Sequence, residues 1–398
     1  MGLPLRAAAG GEAGRLALSR LRSNLSLSGP AGRFMNPPTT AGAPSGRLKP
    51  PLVTIGIPTF NRARFLKRML PQVSNQTYRN LEILISDNAS EDETQALCSE
   101  WASRDSRIRL LRHPKNIGLY PNHNACLEAA RGRYLCLFHD DEQYTPEMID
   151  RYVAFMEAHP EAGLLCSDWE LIDEADRVVA VRQAEAPPLQ TGDAYVAQTT
   201  RSGRSSLNCP GTMIRREALN GIRFDPESPL GFGDFIVWFR IAERWSIGHL
   251  GERLWRYRIH SEALSDRSIL EMARDFQTAV GSYLDRLEQA DPRGAARAKC
   301  FRENVRRYLF WSLIYELCRH GRPGKRRGQT IFDMGSYRLS PVEVQEAWVL
   351  LESLRRGWGE RLLFGLLELI SQTPAIGGLA RLLQAAPNRW MRRLLGLR

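Results

Sequence analysis

Residues 133–142 combine an apolar run with three successive carboxylic acids, Asp140, Asp141 and Glu142. Carboxylates placed this close together repel one another unless a cation or solvent relieves them. If the extended geometry continues past the apolar run, Asp140 and Glu142 project to the same side. Their oxygens would then suit a hard divalent ion such as Mg2+ or Mn2+, which in turn binds diphosphate oxygens. The alternative is a solvated acidic loop that holds no ligand.

Polar clusters also follow the other apolar runs in the first half of the chain. They are Thr-Phe-Asn-Arg (59–62), Asp-Asn (87–88) and His-Pro-Lys-Asn (113–116). Each cluster alone is typical of an ordinary turn, because Asp, Asn and Pro favour turns. In an open parallel sheet, however, ligands bind beyond the carboxyl ends of the strands. Together with the acid triplet, the clusters therefore predict one polar pocket at one edge of a sheet.

The segments between these clusters alternate between strand-like and helix-like patterns. Short apolar runs predict strands at 52–60, 81–90, 108–114, 133–142 and 162–173. Amphipathic stretches predict helices at 64–76, 90–104, 123–132 and 146–160. Such alternation is typical of an α/β fold with a mostly parallel sheet covered by helices. After residue 180 the alternation stops, and the pattern from about residue 268 to the end is helical.

Composition narrows the class of protein. The chain has 398 residues, of which 43% are hydrophobic and 25% are charged, and this composition excludes global disorder and collagen-like repeats. A net charge of +11 favours phosphates, nucleic acid or an anionic bilayer as partners, without choosing among them. Seven scattered cysteines without a CxxC pair argue against a disulfide framework or a zinc ribbon and favour a reducing compartment. No apolar run of about 18 residues predicts a membrane-spanning helix.

Several well-known site motifs are absent from the sequence. It contains no GxxxxGK[ST] and no GxGxxG after a strand, which excludes P-loop and Rossmann dinucleotide sites. It contains no GxSxG either, so an esterase nucleophile elbow is not supported.

Four motifs, in order, resemble those of family-2 inverting glycosyltransferases with the GT-A fold. They are VTIGIPTFNR (53–62), LEILISDNASEDET (81–94), NIGLYPNHNACLEAARGRYLCLFHDDEQYTPEM (116–148), and GFGDFIVWFRIAERW with YRIH (231–245 and 257–260). The resemblance implies an α/β fold of GT-A type, with a mostly parallel central sheet flanked by helices and a helical C-terminal region. It also implies transfer of a sugar from a nucleoside diphosphate sugar to an acceptor hydroxyl with inversion, usually with a divalent metal.

The resemblance also implies a donor site. The residues that would bind the nucleotide sugar are Pro58, Thr59, Phe60, Arg62, Asp87, Asn116, Gly118, Asn124, Asp140 and Asp141. The first four would line the base and ribose, and Asp87 would accept a hydrogen bond from the base N–H, which favours uracil or thymine. The turn from Asn116 to Gly118, with Asn124 behind it, would close the nucleotide pocket.

The metal ligands and the catalytic base follow from the same resemblance. The acid triplet stands where the family has its Asp-x-Asp motif, with Asp140 and Glu142 as ligands, although this chain ends the motif in Glu. His260 would add a ligand, or it is a structural histidine. Asp234 stands where the family places its base, at a helix start after a glycine-rich loop. The alternative for Asp234 is a helix N-cap, a common place for Asp.

The predicted function is therefore metal-dependent, inverting hexosyl transfer from a UDP- or TDP-sugar to a sugar or lipid-linked acceptor, in cell-surface polysaccharide or glycolipid synthesis. A nucleotidyltransferase of similar fold would need a glycine-rich loop after the first strand, and PTFNRARF has no glycine. A nucleic-acid-binding protein would concentrate basic and aromatic residues on one face, whereas here the basic residues concentrate in the tails. A catalytically silent nucleotide-sugar-binding relative stays open, because Gly233 replaces the Glu that many members carry before the base.

The sequence divides into three predicted parts. Residues 1–50 read as a flexible N-terminal tail, 51–265 as the transferase domain and 266–398 as a helical region. Residues 372–398 contain five arginines and no acids, which suits either an amphipathic helix on an anionic membrane or a helix packed on the protein. We predict a cytoplasmic protein, with peripheral attachment to the inner face of the membrane left open.

Overall fold

The computed structural model describes residues 49–184, 186–259 and 269–319. The predicted tail up to residue 48, His260 and the basic C-terminal segment lie outside the described residues. Within the described part of the chain, no helix is both long enough and apolar enough to cross a membrane.

Strands and helices alternate along the first half of the chain, as the sequence pattern predicts. In chain order the elements are β1 (Val53–Thr59), α1 (Ala63–Ser74), β2 (Leu81–Asp87), α2 (Thr94–Arg104), β3 (Ile108–Arg112), α3 (Leu119–Ala129), β4 (Tyr134–Leu137), β5 (Gln143–Tyr144), α4 (Met148–Ala158), β6 (Ala162–Ile172), β7 (Val178–Arg182), β8 (Leu189–Gln190), α5 (Gly192–Ser202), β9 (Met213–Arg215), α6 (Arg216–Leu219), α7 (Gly233–Ala242), β10 (Ser246–Arg258), α8 (Ile269–Ala290) and α9 (Pro292–Arg319).

The strands form one mixed sheet in the order β3-β2-β1-β4-β9-β6-β10-β5, with β7 on β6 and β8 on β10. Strands β3, β2, β1 and β4 are parallel, and β6 is parallel to β10. The short strand β9 runs antiparallel to both β4 and β6 and so joins the two parallel halves. The α/β class with a largely parallel, helix-covered sheet is therefore confirmed.

The central strands are buried on both faces, as expected for parallel strands between layers of helices. Val53, Ile55 and Ile57 of β1 have no exposed surface. Helix α1 buries Leu66, Met69, Leu70 and Val73, the 3-4 spacing of an apolar helical stripe, against this sheet. This packing holds the carboxyl ends of β1, β2 and β4 side by side, which brings the loops after them to one edge.

The helices near the end of the described chain support the helix that carries Asp234. Phe276 of α8 packs edge-on against Phe232 and Phe235, with ring centroids 5.7 and 6.1 Å apart. Tyr283, two turns further on, lies 5.2 Å from the ring of Phe239 in α7. Helix α7 is thus held between the sheet and α8. This packing fixes the position of its first two residues, Gly233 and Asp234.

Candidate active site

A cleft of about 470 Å³ opens at the carboxyl ends of β1 and β4. Ten of the predicted residues line it: Pro58, Thr59, Phe60, Arg62, Asn116, Gly118, Asp140, Asp141, Glu142 and Asp234. Residues separated by more than 170 positions in the chain therefore meet in one cavity, at the edge of the sheet where the strand-end clusters predict a pocket.

Two predicted donor-site residues do not line this cleft. Asp87 is only 5% exposed; its Oδ1 accepts the backbone N–H of Ser90 at 3.0 Å, and its Oδ2 lies 3.5 Å from Arg112 Nη1. Asn124 bonds to both backbone groups of Phe224, donating to its carbonyl at 2.8 Å and accepting from its N–H at 2.9 Å. Asn124 thus fastens the chain before α7 to helix α3, a role that its position in the sequence does not reveal.

The loops after β1, β2 and β4 are tied together by short hydrogen bonds. Thr59 Oγ1 donates to Asp140 Oδ2 at 2.6 Å, and the Asn88 backbone N–H donates to the Thr59 carbonyl at 2.9 Å. Asn88 Nδ2 donates to Asn116 Oδ1 at 2.8 Å, and Asn88 Oδ1 accepts from the backbone N–H of Ile117 at the same distance. Residues 59–62 and 116–118 contribute to the lining of the cleft, and these hydrogen bonds hold them in place before a ligand binds.

The conditional prediction that Asp140 and Glu142 project together from a continuing strand is wrong. Strand β4 ends at Leu137, because the chain turns there toward the short strand β5. Asp140 turns back to Thr59, whereas Asp141 and Glu142 converge with His139. One nitrogen or oxygen of each of these three residues lies within 4.8 Å of the others. His139 is a site residue that the sequence reasoning missed, although it immediately precedes the acid triplet.

The acid triplet lies in a buried, anionic environment. Burial, followed by the charge of Asp141, raises the pKa of Asp140 to about 7 and that of Glu142 well above its ordinary value. Arg62 Nη1 lies 3.6 Å from Asp141 Oδ2. Arg258 donates its backbone N–H to Glu142 Oε2 at 2.6 Å and its side-chain Nε to the Asp141 carbonyl at 2.9 Å. Arg258 was also missed, although it lies inside the Tyr-Arg-Ile-His motif.

The side chains of His139, Asp141 and Glu142 fit a divalent metal. His139, Asp141 and Glu142 offer one imidazole nitrogen and two carboxylates, and such a set of ligand atoms in a cleft suits a divalent cation. The carboxylates suit Mn2+ or Mg2+, and the imidazole is a ligand that suits transition metals. The group that could hold an ion is therefore His139, Asp141 and Glu142, whereas the sequence predicts Asp140, Glu142 and His260, the last of which lies outside the described residues.

Asp234 is the second residue of α7 and not its N-cap, which is Phe232. Its Oδ1 accepts the backbone N–H of Phe235 at 2.9 Å. Burial raises the pKa of Asp234 to about 7, and the backbone N–H groups of Phe235 and Cys209 partly offset that rise. The N-cap alternative is therefore wrong. The carboxylate is a half-buried group on the cleft wall with a pKa suited to proton transfer near neutral pH.

The loop before Asp234 is held by Tyr120. Its hydroxyl donates to the Pro229 carbonyl at 2.9 Å and accepts the Gly233 N–H at 3.1 Å. A Cβ on Gly233 would lie 2.6 Å from Tyr120 Cζ, so only glycine allows this close approach. Gly231 adopts φ +83°, which also favours glycine. The two glycines of the motif therefore serve backbone geometry around the proposed base.

Comparison with known proteins agrees with this architecture. Residues 54–222 match the sequence profile of Glycosyl transferase family 2. A Methanocaldococcus jannaschii protein named as a glycosyltransferase, MJ1057, is 24% identical over 210 residues, covering 52% of this chain and 70% of that protein. EpsE of Bacillus subtilis, also named as a glycosyltransferase, is 28% identical over 222 residues, covering 54% of this chain and 75% of that protein.

A solved structure shows the same fold. The crystal structure of S. aureus TarS residues 1–349 in complex with UDP-GlcNAc superposes with a TM-score of 0.50 at 17% identity, covering 65% of this chain and 71% of that one. The sheet order, the cleft and the sequence profile agree with one another. Over residues 54–222 the chain is similar to family-2 glycosyltransferases, and it has the GT-A fold.

Proposed function

We propose that the protein transfers a hexose from a UDP- or TDP-sugar to an acceptor hydroxyl with inversion, with Asp234 as the base and Mn2+ or Mg2+ as the cofactor. The observation that carries this proposal is that Asp234 and the His139–Asp141–Glu142 group line the same cleft of about 470 Å³. A base and a metal-binding group that face one cavity are what a metal-assisted single displacement on a nucleotide sugar requires.

The chemical step needs a base because an alcohol is a poor nucleophile until its proton is removed. Asp234 would take the proton of the acceptor hydroxyl as the oxygen attacks the anomeric carbon, and the nucleoside diphosphate leaves from the opposite side. One displacement with one base inverts the anomeric configuration. The titratable groups that face Asp234 are Tyr120, Tyr195 and Cys209, and burial raises the pKa of each of them. These three groups stay neutral near pH 7, so among them and Asp234 it is Asp234 that titrates there.

The donor assignment rests on the loops after β1 to β3. Asp87 Oδ2 is buried without a hydrogen bond, so it is an acceptor ready for a pyrimidine N–H once a nucleotide displaces its weak contact with Arg112. The preorganised turn at Asn116 and Gly118 would close over the nucleotide, and Thr59 would hold Asp140 toward the ribose. The complex of S. aureus TarS with UDP-GlcNAc supports a uridine donor for a neighbour of the same fold.

The metal would be held by His139, Asp141 and Glu142. When bound, it would neutralise the charge that develops on the departing diphosphate. Arg258 orients two of these residues through its hydrogen bonds to Glu142 and to the Asp141 carbonyl. Arg62, whose guanidinium lies 3.6 Å from Asp141, would add a positive charge near the phosphates.

The test is a screen of UDP-, TDP- and GDP-sugars for release of nucleoside diphosphate, with and without Mn2+, followed by NMR of the anomeric configuration of the product. We expect release from a pyrimidine sugar, loss of release in EDTA and an inverted product. Asp234→Asn serves as the matched control for background hydrolysis. A retained configuration would contradict the mechanism, and release of pyrophosphate from a nucleoside triphosphate would favour a nucleotidyltransferase. Donor binding without any turnover would favour a silent relative.

The acceptor and the setting belong to the same proposal. We infer a sugar or lipid-linked acceptor in cell-surface polysaccharide or glycolipid synthesis, at the cytoplasmic side of the membrane, and no nucleic-acid partner. The net charge of +11 is compatible with an anionic bilayer or with phosphorylated lipids as neighbours.

A further inference from the structure

A second group of metal-ligand side chains lines the cleft beside the acid triplet. It consists of His123 on helix α3, His139 after β4, and Cys209 in the 3-10 turn Cys209–Gly211 that precedes β9. One ligand atom of each residue lies within 4.8 Å of the others. This group, here the His2Cys cluster, contains two imidazoles and a thiol but no carboxylate.

The two imidazoles already have the separation that a tetrahedral metal requires. His123 Nε2 lies 3.4 Å from His139 Nε2. Two nitrogens that each lie ~2.05 Å from one tetrahedral zinc ion are about 3.3 Å apart. The separation of these two nitrogens therefore matches the one that zinc coordination requires.

The orientation of His123 is set from outside the cluster. Its Nδ1 lies 2.9 Å from the Leu119 carbonyl oxygen. A carbonyl only accepts a hydrogen bond, so Nδ1 carries the proton and Nε2 presents its lone pair to the cluster. A hydrogen bond from the second ring nitrogen to a carbonyl is the usual support of a metal-ligating histidine.

From this geometry we propose that His123, His139 and Cys209 form a zinc site that shares only His139 with the His139–Asp141–Glu142 group. A thiolate with two imidazoles selects zinc over the hard ions Mn2+ and Mg2+, which prefer oxygen. On binding, the zinc–sulfur bond forms as the Cys209 S–H proton leaves to solvent, and the three side chains leave a fourth position for water.

Zinc at this site would also affect the proposed transferase activity. This part of the inference rests on the proposed function. His139 belongs to both groups, so an ion at one of them takes a ligand away from the other. Zinc bound by Cys209 and His139 would therefore lower the affinity of the His139–Asp141–Glu142 group for Mn2+ and inhibit transfer. The binding of zinc itself does not depend on what the enzyme does.

The test uses Co2+ as a spectroscopic substitute for zinc in the full-length protein. We expect a near-ultraviolet thiolate-to-cobalt charge-transfer band that saturates at a single equivalent and disappears on addition of Zn2+. Cys209→Ser should abolish the band. Cys300→Ser, at an exposed cysteine, and Asp141→Asn, in the acid triplet, should keep it. Absence of the band, or its survival in Cys209→Ser, would overturn the proposal.

A second measurement needs no variant and therefore stands even if Cys209→Ser fails to fold. Peptide mapping after alkylation under mild unfolding should show that Zn2+ protects Cys209 but leaves Cys300 unprotected, and equal labelling with and without zinc would contradict the site. In turnover assays, zinc should raise the Mn2+ concentration needed for half-maximal activity. Failure to find turnover with any donor would remove the transferase proposal while the cobalt titration still decides the zinc site.

Discussion

Replacing Asp234 by Asn keeps the shape of the side chain and its acceptor for the Phe235 N–H but removes the proposed base. Transfer should fall by about 10²–10⁴-fold, the usual contribution of general base catalysis. In the wild type, a base with a pKa of about 7 is ionised in roughly one molecule in eleven at pH 6 and in roughly ten in eleven at pH 8. The transfer rate should therefore rise about tenfold between these pH values and then level off.

The raised pKa of Asp234 also makes the free energy of unfolding depend on pH. Folding raises the pKa of Asp234 from 3.8 to about 7, so the folded state binds more protons than the unfolded state between these values. The free energy of unfolding should thus fall as the pH rises through this window. The penalty has an upper limit of about 4 kcal/mol, at about 1.36 kcal/mol for each pKa unit, and the opening of the side chain onto the cleft reduces it. Asp234→Asn should be more stable than the wild type at pH 8 and equally stable near pH 4.

Two assays check this reasoning. Stopped-time transfer measurements over pH 5.5–8.5 give the rate profile, and urea unfolding at pH 4 and pH 8 gives the stability difference, with nucleotide binding as a control for an intact donor site. Near-normal transfer by Asp234→Asn, per folded molecule, would show that the carboxylate serves only the start of α7. The base would then be sought at Asp225, because Asp168 is paired with His249 at 2.9 Å and Asp173 with Arg177 at 2.7 Å.

Further predictions concern the metal, the nucleotide, the loop and the membrane. Asp141→Asn should abolish stimulation by Mn2+ in a turnover assay, whereas the exposed Glu174→Gln should not, and full activity of the wild type in EDTA would argue for a metal-free mechanism. Asp87→Asn keeps one acceptor but presents an N–H to the base, so calorimetry should show UDP binding weaker by about 1–3 kcal/mol, and unchanged affinity would remove this residue from the site. Tyr120→Phe should lower the free energy of unfolding by about 0.5–1.5 kcal/mol, because two backbone groups lose their partner, and should raise the acceptor KM more than the donor KM. Deletion of residues 372–398 should reduce sedimentation with anionic liposomes while leaving donor hydrolysis intact, and equal sedimentation would contradict a membrane role.

Much of the fold could be predicted from the sequence because it follows local rules. Apolar runs with alternating helices determine a parallel sheet, and the carboxyl ends of its strands determine where a ligand binds. This is why Thr59 and Asp140, far apart in the chain, were expected in one pocket. Asp234 was expected at the site only from the resemblance to the family, and all three residues line one cleft. The ordered set of motifs also sufficed to indicate the family.

The tertiary structure alone decided which way each side chain of a strand-end loop points. Between β4, which ends at Leu137, and β5, which begins at Gln143, no strand assignment constrains the chain. There Asp140 turns to Thr59, and Asp141 lies close to His139. Likewise the first turn of α1 is capped from the neighbouring loop, where Asp92 accepts the Ala63 N–H at 3.1 Å. Hydrogen bonds between residues so distant in sequence leave no periodic pattern, so only the folded chain reveals them.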